Sequence, residues 1–448
     1  MTCRGSGLTV ALVFHSLILR RSLALAVIAA LLPSLSPAAI KAQKKNYLEQ
    51  AEAALKENRP DDALEALESA LKDDPDNAAA HFWRGRLRAG KGEFDKALAD
   101  FNATIRLAPT GDAYAHRAFV YQKLNQPDDA LADLNQALRR EPNNYLALFL
   151  RGLLLGERGN TKAAIVDLDA ALEIQPENRE ALQARGQMHV LRRELSDALA
   201  DFDKSIQLNP RDPAGHTGRG GVNYLKGDFK EAIEDYTQAV ELLPKDPRPL
   251  AQRGYAYAGA QQLDKAMADF EAALKINPKD PPSLLGRAEL SRGAKKWKEA
   301  LADYELLLSV EPGDFRALLG TASALYASGE LEKAVGAYGQ LIQRFPNEAQ
   351  PFNDYAWLLA TGMKDDVRNG QRAVELASQA CQMTEYKNPG YLDTLAAAYA
   401  EKGEFSNAIK WQEEAVKAAD KEPEEVQADI KSRVEIYKQN KPYRETPK

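Results

Sequence analysis

The stretch Pro213–Asp246, PAGHTGRGGVNYLKGDFKEAIEDYTQAVELLPKD, decides how the rest of the chain is read. It predicts two helices. Helix A is expected over Pro213–Lys226, and the pair Gly227-Asp228 breaks it. Helix B is expected over Phe229–Leu242, and Pro244 then withdraws a backbone donor and stops it. Small residues at Gly220, Ala232 and Ala239 sit among bulky ones at Phe229, Tyr236 and Leu242, so the two helices can approach closely and interlock. One such hairpin cannot cover its own apolar face, whereas a stack of them can.

The pattern recurs. Closing prolines fall at Pro75, Pro109, Pro142, Pro176, Pro210, Pro244, Pro278, Pro312 and Pro346; seven of the eight intervals are 34 residues and the exception, 109 to 142, is 33. Small residues keep step at Gly85, Ala118, Gly152, Gly186, Gly220, Gly254, Ala288 and Ala322. Alanines do so at Ala63, Ala97, Ala130, Ala164, Ala198, Ala232, Ala266, Ala300 and Ala334. An aromatic or leucine follows at Phe101, Leu134, Leu168, Phe202, Tyr236, Phe270, Tyr304 and Tyr338. Over about residues 44–418 this resembles the tetratricopeptide repeat family. The resemblance implies an all-α fold, a right-handed α–α superhelix of about eleven helix-turn-helix repeats, the first and the last two degenerate.

Composition agrees with helices. Hydrophobic residues make up 44% and charged residues 28%, as in ordinary globular chains, with only 8% aromatic and an excess of Ala and Leu. The formal net charge is -6, and residues 1–42 hold Arg4, Arg20, Arg21 and Lys41 without an acid, so removing them leaves about -10 (-6 minus 4). That balance argues against a nucleic-acid partner, which needs a basic track. The two cysteines, Cys3 and Cys381, leave no internal disulfide once the N-terminus is removed.

Three regions follow. Residues 1–42 read as a secretory signal peptide: Arg20-Arg21, the apolar run Ser22–Leu32, Pro33, then small residues ending at Ala38, Ala39 and Ala42. An uncleaved anchor is the alternative, since Leu8–Leu19 is also apolar, and it is the one route to a membrane. Residues 43–418 form the repeat array, with an insertion around Gly362–Gly370. Residues 419–448 form a capping helix and tail, with Val426, Ile430, Val434 and Tyr437 at helical spacing over Glu424–Asn440, read as a solubilising cap. Asn144, Asn178, Asp212, Asp246, Asp280 and Asp314 each follow a closing proline by two, where a short polar side chain caps the next helix A.

A column of arginines runs through the array at Arg84, Arg117, Arg151, Arg185, Arg219, Arg253 and Arg287. Arginine matches oxyanions bidentately, so the column could line a groove for an acidic or phosphorylated partner. Yet an aspartate follows each by 16 residues, at Asp100, Asp133, Asp167, Asp201, Asp235, Asp269 and Asp303, and the two columns start and stop together. An ion pair between helices A and B of one repeat is the economical reading, because an unpaired buried charge is costly. Pairing to the neighbouring repeat is not expected.

No catalytic or metal constellation emerges. His81, His116, His189 and His216 read as occupying different repeat positions and as packed or surface histidines. No phosphate-binding glycine loop or serine elbow is present, so the chain reads as a non-enzyme without cofactor, metal or small-molecule substrate. The resemblance implies that helix A lines the inner groove, with exposed positions at Phe82, His116, Phe119, Phe149, Gln187, Tyr224, Tyr255, Arg316 and Tyr326. Aromatics there suit an extended peptide or partner helix, and inter-repeat packing is the competing reading. The family's chaperone clamp uses lysines and asparagines, and the corresponding places here hold Phe82, Arg86 and His116. The expected function is a protein- or peptide-binding scaffold, exported to the periplasm, the cell envelope or the medium. The alternative is an accessory subunit that recruits substrate to an envelope enzyme such as a protein glycosyltransferase.

Overall fold

The computed structural model describes residues 47–445, and the expected signal peptide lies outside them. The chain divides into two compact units at Leu243/Pro244. The first holds α1 (Tyr47–Lys56), α2 (Pro60–Asp73), α3 (Ala78–Gly90), α4 (Phe94–Leu107), α5 (Gly111–Lys123), α6 (Pro127–Arg140), α7 (Tyr145–Glu157), α8 (Thr161–Ile174), α9 (Arg179–Leu191), α10 (Leu195–Leu208), α11 (Pro213–Lys226) and α12 (Phe229–Leu242). The second holds α13 (Pro247–Gly259), α14 (Leu263–Ile276), α15 (Pro281–Gly293), α16 (Trp297–Val310), α17 (Phe315–Ala327), α18 (Leu331–Arg344), α19 (Ala349–Thr361), α20 (Gly370–Met383), α21 (Pro389–Glu401), α22 (Phe405–Ala418) and α23 (Glu424–Lys438). No strand occurs among the described residues, and no described helix is long and apolar enough to cross a membrane. Within each unit the odd-numbered helix pairs with the even-numbered one that follows it, giving, among the described residues, eleven hairpins and a final single helix, α23.

Local chemistry sets the ends of each helix. The side chains of Asn144, Asn178, Asp212, Asp246, Asp280 and Asp314 accept from a backbone N–H in the first turn of the following helix A. The A-to-B turn needs one residue in the left-handed region. Gly227 takes it at φ 85°, but Arg193, Gln261 and Lys295 take the same place at 62°, 60° and 59°.

The hairpins interlock through one large side chain per helix B. Phe270 on α14 is 1% exposed. A Cβ at Gly254 on α13 would stand 2.8 Å from its ring, and one at Gly286 on α15 would stand 2.3 Å away. One ring is thus gripped by its own hairpin and the next, and burying it contributes about 2–3 kcal/mol. The same sandwich holds Phe202 between Gly186 and Gly218 in the first unit.

The insertion after Thr361 is irregular up to Asn369, whose side chain caps α20. Helix α23 ends at Lys438, short of the expected Asn440, which instead takes φ 54°. It is more than a solubilising cap. Ile430, Arg433, Val434 and Tyr437 are buried, and of the four apolar positions read from the sequence only Val426 faces out. Arg433 Nη1 donates to Asp393 on α21 at 2.9 Å, and Gln412 Nε2 on α22 donates to the same carboxylate at 2.6 Å.

Candidate binding surface

The arginine and aspartate columns lie at the heart of every regular hairpin. All seven A-to-B pairs close at 2.6–2.7 Å, from Arg84–Asp100 to Arg287–Asp303. The aspartates are 2–7% exposed. The guanidinium presents Nε and Nη2 to the two carboxylate oxygens, the fork geometry arginine is built for. A second contact was not expected from the sequence. In the first unit, Nη1 of Arg117, Arg151, Arg185 and Arg219 reaches back to Asn102, Asn135, Asp169 and Asp203 on the preceding helix B, at 2.7–2.9 Å. Each of these arginines therefore ties its own hairpin to the one before it. The signal was present only in part, as Asn or Asp two residues after each of the first four aspartates.

An open groove of about 530 Å³ between α6 and α8, lined by Leu131, Leu155 and Val166, has Arg151 on its wall, but Asn135 and Asp167 already hold that guanidinium. The arginine column has its charge satisfied from within the chain.

The histidines correct the sequence reading. His81 and His216 share one repeat position: Nδ1 faces Asp100 and Asp235 at 3.1 and 3.2 Å, and Nε2 faces the carbonyls of Pro75 and Pro210. His189, Glu194 and Asp197 bring ligating atoms within 4.8 Å of one another. Arg192 donates to Glu194 at 2.7 Å, which gives that carboxylate a cation from its own chain. Cys381 is buried, and burial pushes its thiol up to about 12.

The nine helix-A candidates separate by burial. His116 and Phe149, expected to be exposed, are 6% and 4% exposed. The cause is inter-repeat packing. The His116 ring sits 5.1 Å from Phe82 and 5.9 Å from Phe101, and burial, with the charge of Arg86, pushes its imidazole down to about 3. Phe149 stacks on Tyr145 at 5.9 Å inside the core of α5–α9. The other seven, also expected to be exposed, are half-buried. Phe82 lies edge-on to Trp83 at 5.8 Å, and the Arg86 guanidinium lies 4.6 Å from the Trp83 ring. Phe119 has Lys123 Nζ 5.2 Å from its ring, Tyr224 packs edge-on to Phe229, and Gln187 keeps Nε2 buried without a hydrogen bond. In the second unit the Tyr255 hydroxyl donates to Pro282 O at 2.7 Å, Arg316 pairs with Glu289 at 2.7 Å, and the Tyr326 hydroxyl donates to Glu445.

Comparison with known proteins adds to this geometry. A family model described as tetratricopeptide repeat matches residues 48–112, 117–179, 154–213 and 282–349, together more than half of the chain. Further models of the repeat match residues 222–261, 247–280 and 390–422. Over 94 residues the chain is 32% identical to bacteriophage adsorption protein A of Escherichia coli strain K12, 21% of this chain and 10% of that protein. The match thus spans about a tenth of that relative's length. Among solved structures, a tetratricopeptide repeat protein from Parabacteroides merdae aligns at 22% identity and TM-score 0.42, covering 55% of this chain and 97% of that one. The pilF protein of Pseudomonas aeruginosa aligns at 20% identity and TM-score 0.43, covering 47% and 97%. Capped hairpins in 34-residue register, each locking a helix-B ring between small helix-A residues, meet the matched family models stretch by stretch, and the chain belongs to the tetratricopeptide repeat family.

Proposed function

We propose that the mature chain is an exported, non-enzymatic adaptor that holds an extended segment or helix of a protein partner against its helix-A side chains. Tetratricopeptide repeats generally serve as protein-interaction scaffolds rather than catalysts. The supporting observation is a division of labour among side chains. The arginine and aspartate columns, the groups best suited to chemistry or to anions, are engaged within the fold, whereas Phe82, Phe119 and Tyr224 each leave part of an aromatic surface uncovered on helix A. Half-covered aromatic surface of this kind anchors partner side chains at little entropic cost. Export rests on the charged, apolar and small-residue order of residues 1–42.

A photo-crosslinking residue in place of Phe119 or Tyr224 tests the reading in envelope extract, with Lys230, 84% exposed on helix B, as the control position. The expected outcome is a discrete partner captured at 119 and 224 and absent at 230. Equal capture at all three positions, or turnover of a substrate by the isolated chain, overturns it.

A further inference from the structure

Residues Lys441–Glu445 fold back onto the array. Asn440 turns the chain with φ 54°, and the Lys441 N–H donates to Ile436 O at 3.3 Å. The segment then runs without regular structure beside the C-terminal ends of α21, α19 and α17. The Tyr443 ring lies 5.8 Å from Trp357, and the Arg433 guanidinium stands 4.7 Å from the first ring and 5.3 Å from the second. Arg444 Nη2 lies 2.5 Å from Glu401, which also accepts from Arg368 at 3.1 Å. Arg444 Nη1 faces Ala360 O at 3.4 Å. The Glu445 N–H donates to Thr361 O at 3.2 Å, and its carboxylate accepts from the Tyr326 hydroxyl.

Tyr443 packs against the cluster of Ala396, Ala400, Ala408 and Tyr437, but two features set the segment apart from a core element. Lys441 is exposed and the next four residues are only half-buried, so no side chain of the segment is sealed into the core. The groups it engages are also those an extended peptide engages: the last carbonyls of a helix, an aromatic face, a carboxylate and a hydroxyl.

We infer that Tyr326, Trp357, Thr361 and Glu401 form a peptide-recognition strip, that its partner carries an aromatic residue, an arginine and an acid in succession, and that residues 443–445 occupy it in cis. The inference rests on reading helix A as a recognition surface and adds to it a strip on the helix-A elements α17, α19 and α21. Trp357 takes the aromatic, Glu401 the arginine and Tyr326 the acid, while Thr361 O fixes the main chain. A tail tethered a few residues from its site acts at an effective concentration on the order of millimolar. A free peptide of the same sequence therefore competes poorly until the tail is loosened.

The test uses the full chain and a fluorescent peptide of residues 440–448, followed by anisotropy. The Tyr443→Ala/Arg444→Ala variant is expected to bind it about tenfold tighter than the unsubstituted chain, and adding Glu401→Gln is expected to remove about tenfold again. Equal affinity for the unsubstituted chain and the double variant overturns the inference, as does no binding to a double variant that keeps its helical signal and melting temperature. If the double variant does not fold, hydrogen exchange in the unsubstituted chain decides. Exchange of the Glu445 amide by local opening, far faster than that of Leu395, supports a displaceable tail; exchange only on global unfolding makes it a fixed cap and overturns the inference. Failure here with site-dependent crosslinking intact at Phe119 and Tyr224 removes the inference alone. Failure of both removes the adaptor reading.

Discussion

Asp235 accepts from Arg219 at 2.7 Å and Asn223 at 3.4 Å, and His216 Nδ1 faces it at 3.2 Å. The carboxylate is 4% exposed, so those partners stand in for water around it. Asp235→Ala strands Arg219 in part, since that side chain is 31% exposed and keeps Asp203. The expected loss is therefore about 2–4 kcal/mol, at the lower end for breaking a buried pair. In a double-mutant cycle with Arg219→Met the two losses should fall short of additive by about 1 kcal/mol or more, as measured by urea unfolding. Additive losses would remove the pairing from the account. Asp354 on α19 behaves differently, because no ion pair reaches it among the described residues. Burial, opposed by hydrogen bonds from Asn353 and Gln350, raises its carboxyl to about 6. The folded chain thus binds a proton that the unfolded chain releases near the usual carboxylate value of about 4. The stability this group contributes is present below pH ~4 and is lost as pH rises through ~6. Asp354→Asn should match the unsubstituted chain at pH ~4 and be more stable by about 1–3 kcal/mol at pH ~7.5, read from urea midpoints.

At the level of the element, the A-to-B turn is the part most open to improvement. Lys295 is exposed and holds φ 59° only because the turn requires it. A side chain there costs about 1 kcal/mol relative to glycine. Lys295→Gly should therefore raise stability by about 0.5–1 kcal/mol without altering the helical signal, as read by thermal unfolding. A lower melting temperature would mean that the lysine side chain makes a contact worth more than the strain. Helix α23 carries the opposite lesson. Its spacing of Ile430, Val434 and Tyr437 announced an amphipathic helix, but the buried Arg433 on the same face ties this last helix to the α21–α22 hairpin through Asp393 and stacks between Trp357 and Tyr443. Sequence periodicity scores an arginine as outward-facing. Its burial is made tolerable by two carboxylates, Asp429 one turn earlier at the surface and Asp393, 40 residues away in the chain, in the core.

For the molecule as a whole, repeat arrays hold together through nearest-neighbour contacts, so damage spreads by adjacency rather than globally. In the first unit the arginines that bridge successive hairpins make this coupling concrete. Asp235→Ala should lower hydrogen-exchange protection in α9–α12 while leaving α1–α4 unchanged, as measured by exchange and mass spectrometry at peptide resolution. A uniform loss of protection across the unit would contradict nearest-neighbour coupling. The seven pairs of the two columns were legible beforehand because both partners recur at a fixed offset of 16 residues. The bridging acceptors were not, because Asn102, Asn135, Asp169 and Asp203 give way later to Thr237, Glu271 and Glu305.

The sequence by itself determined the hairpins, their period, their caps and their turns, since these follow from neighbours a few residues apart and from a register repeated along the chain. Only the tertiary structure decided which helix-A side chains are covered. His116 is buried because Phe82 and Phe101 of the preceding hairpin lie on it, and Phe149 because it sits in the core that α5–α9 share, at distances and angles that no local periodicity encodes. It alone also placed Glu445 against Tyr326, 119 residues earlier, because a contact of that span depends on where several intervening hairpins put the two ends.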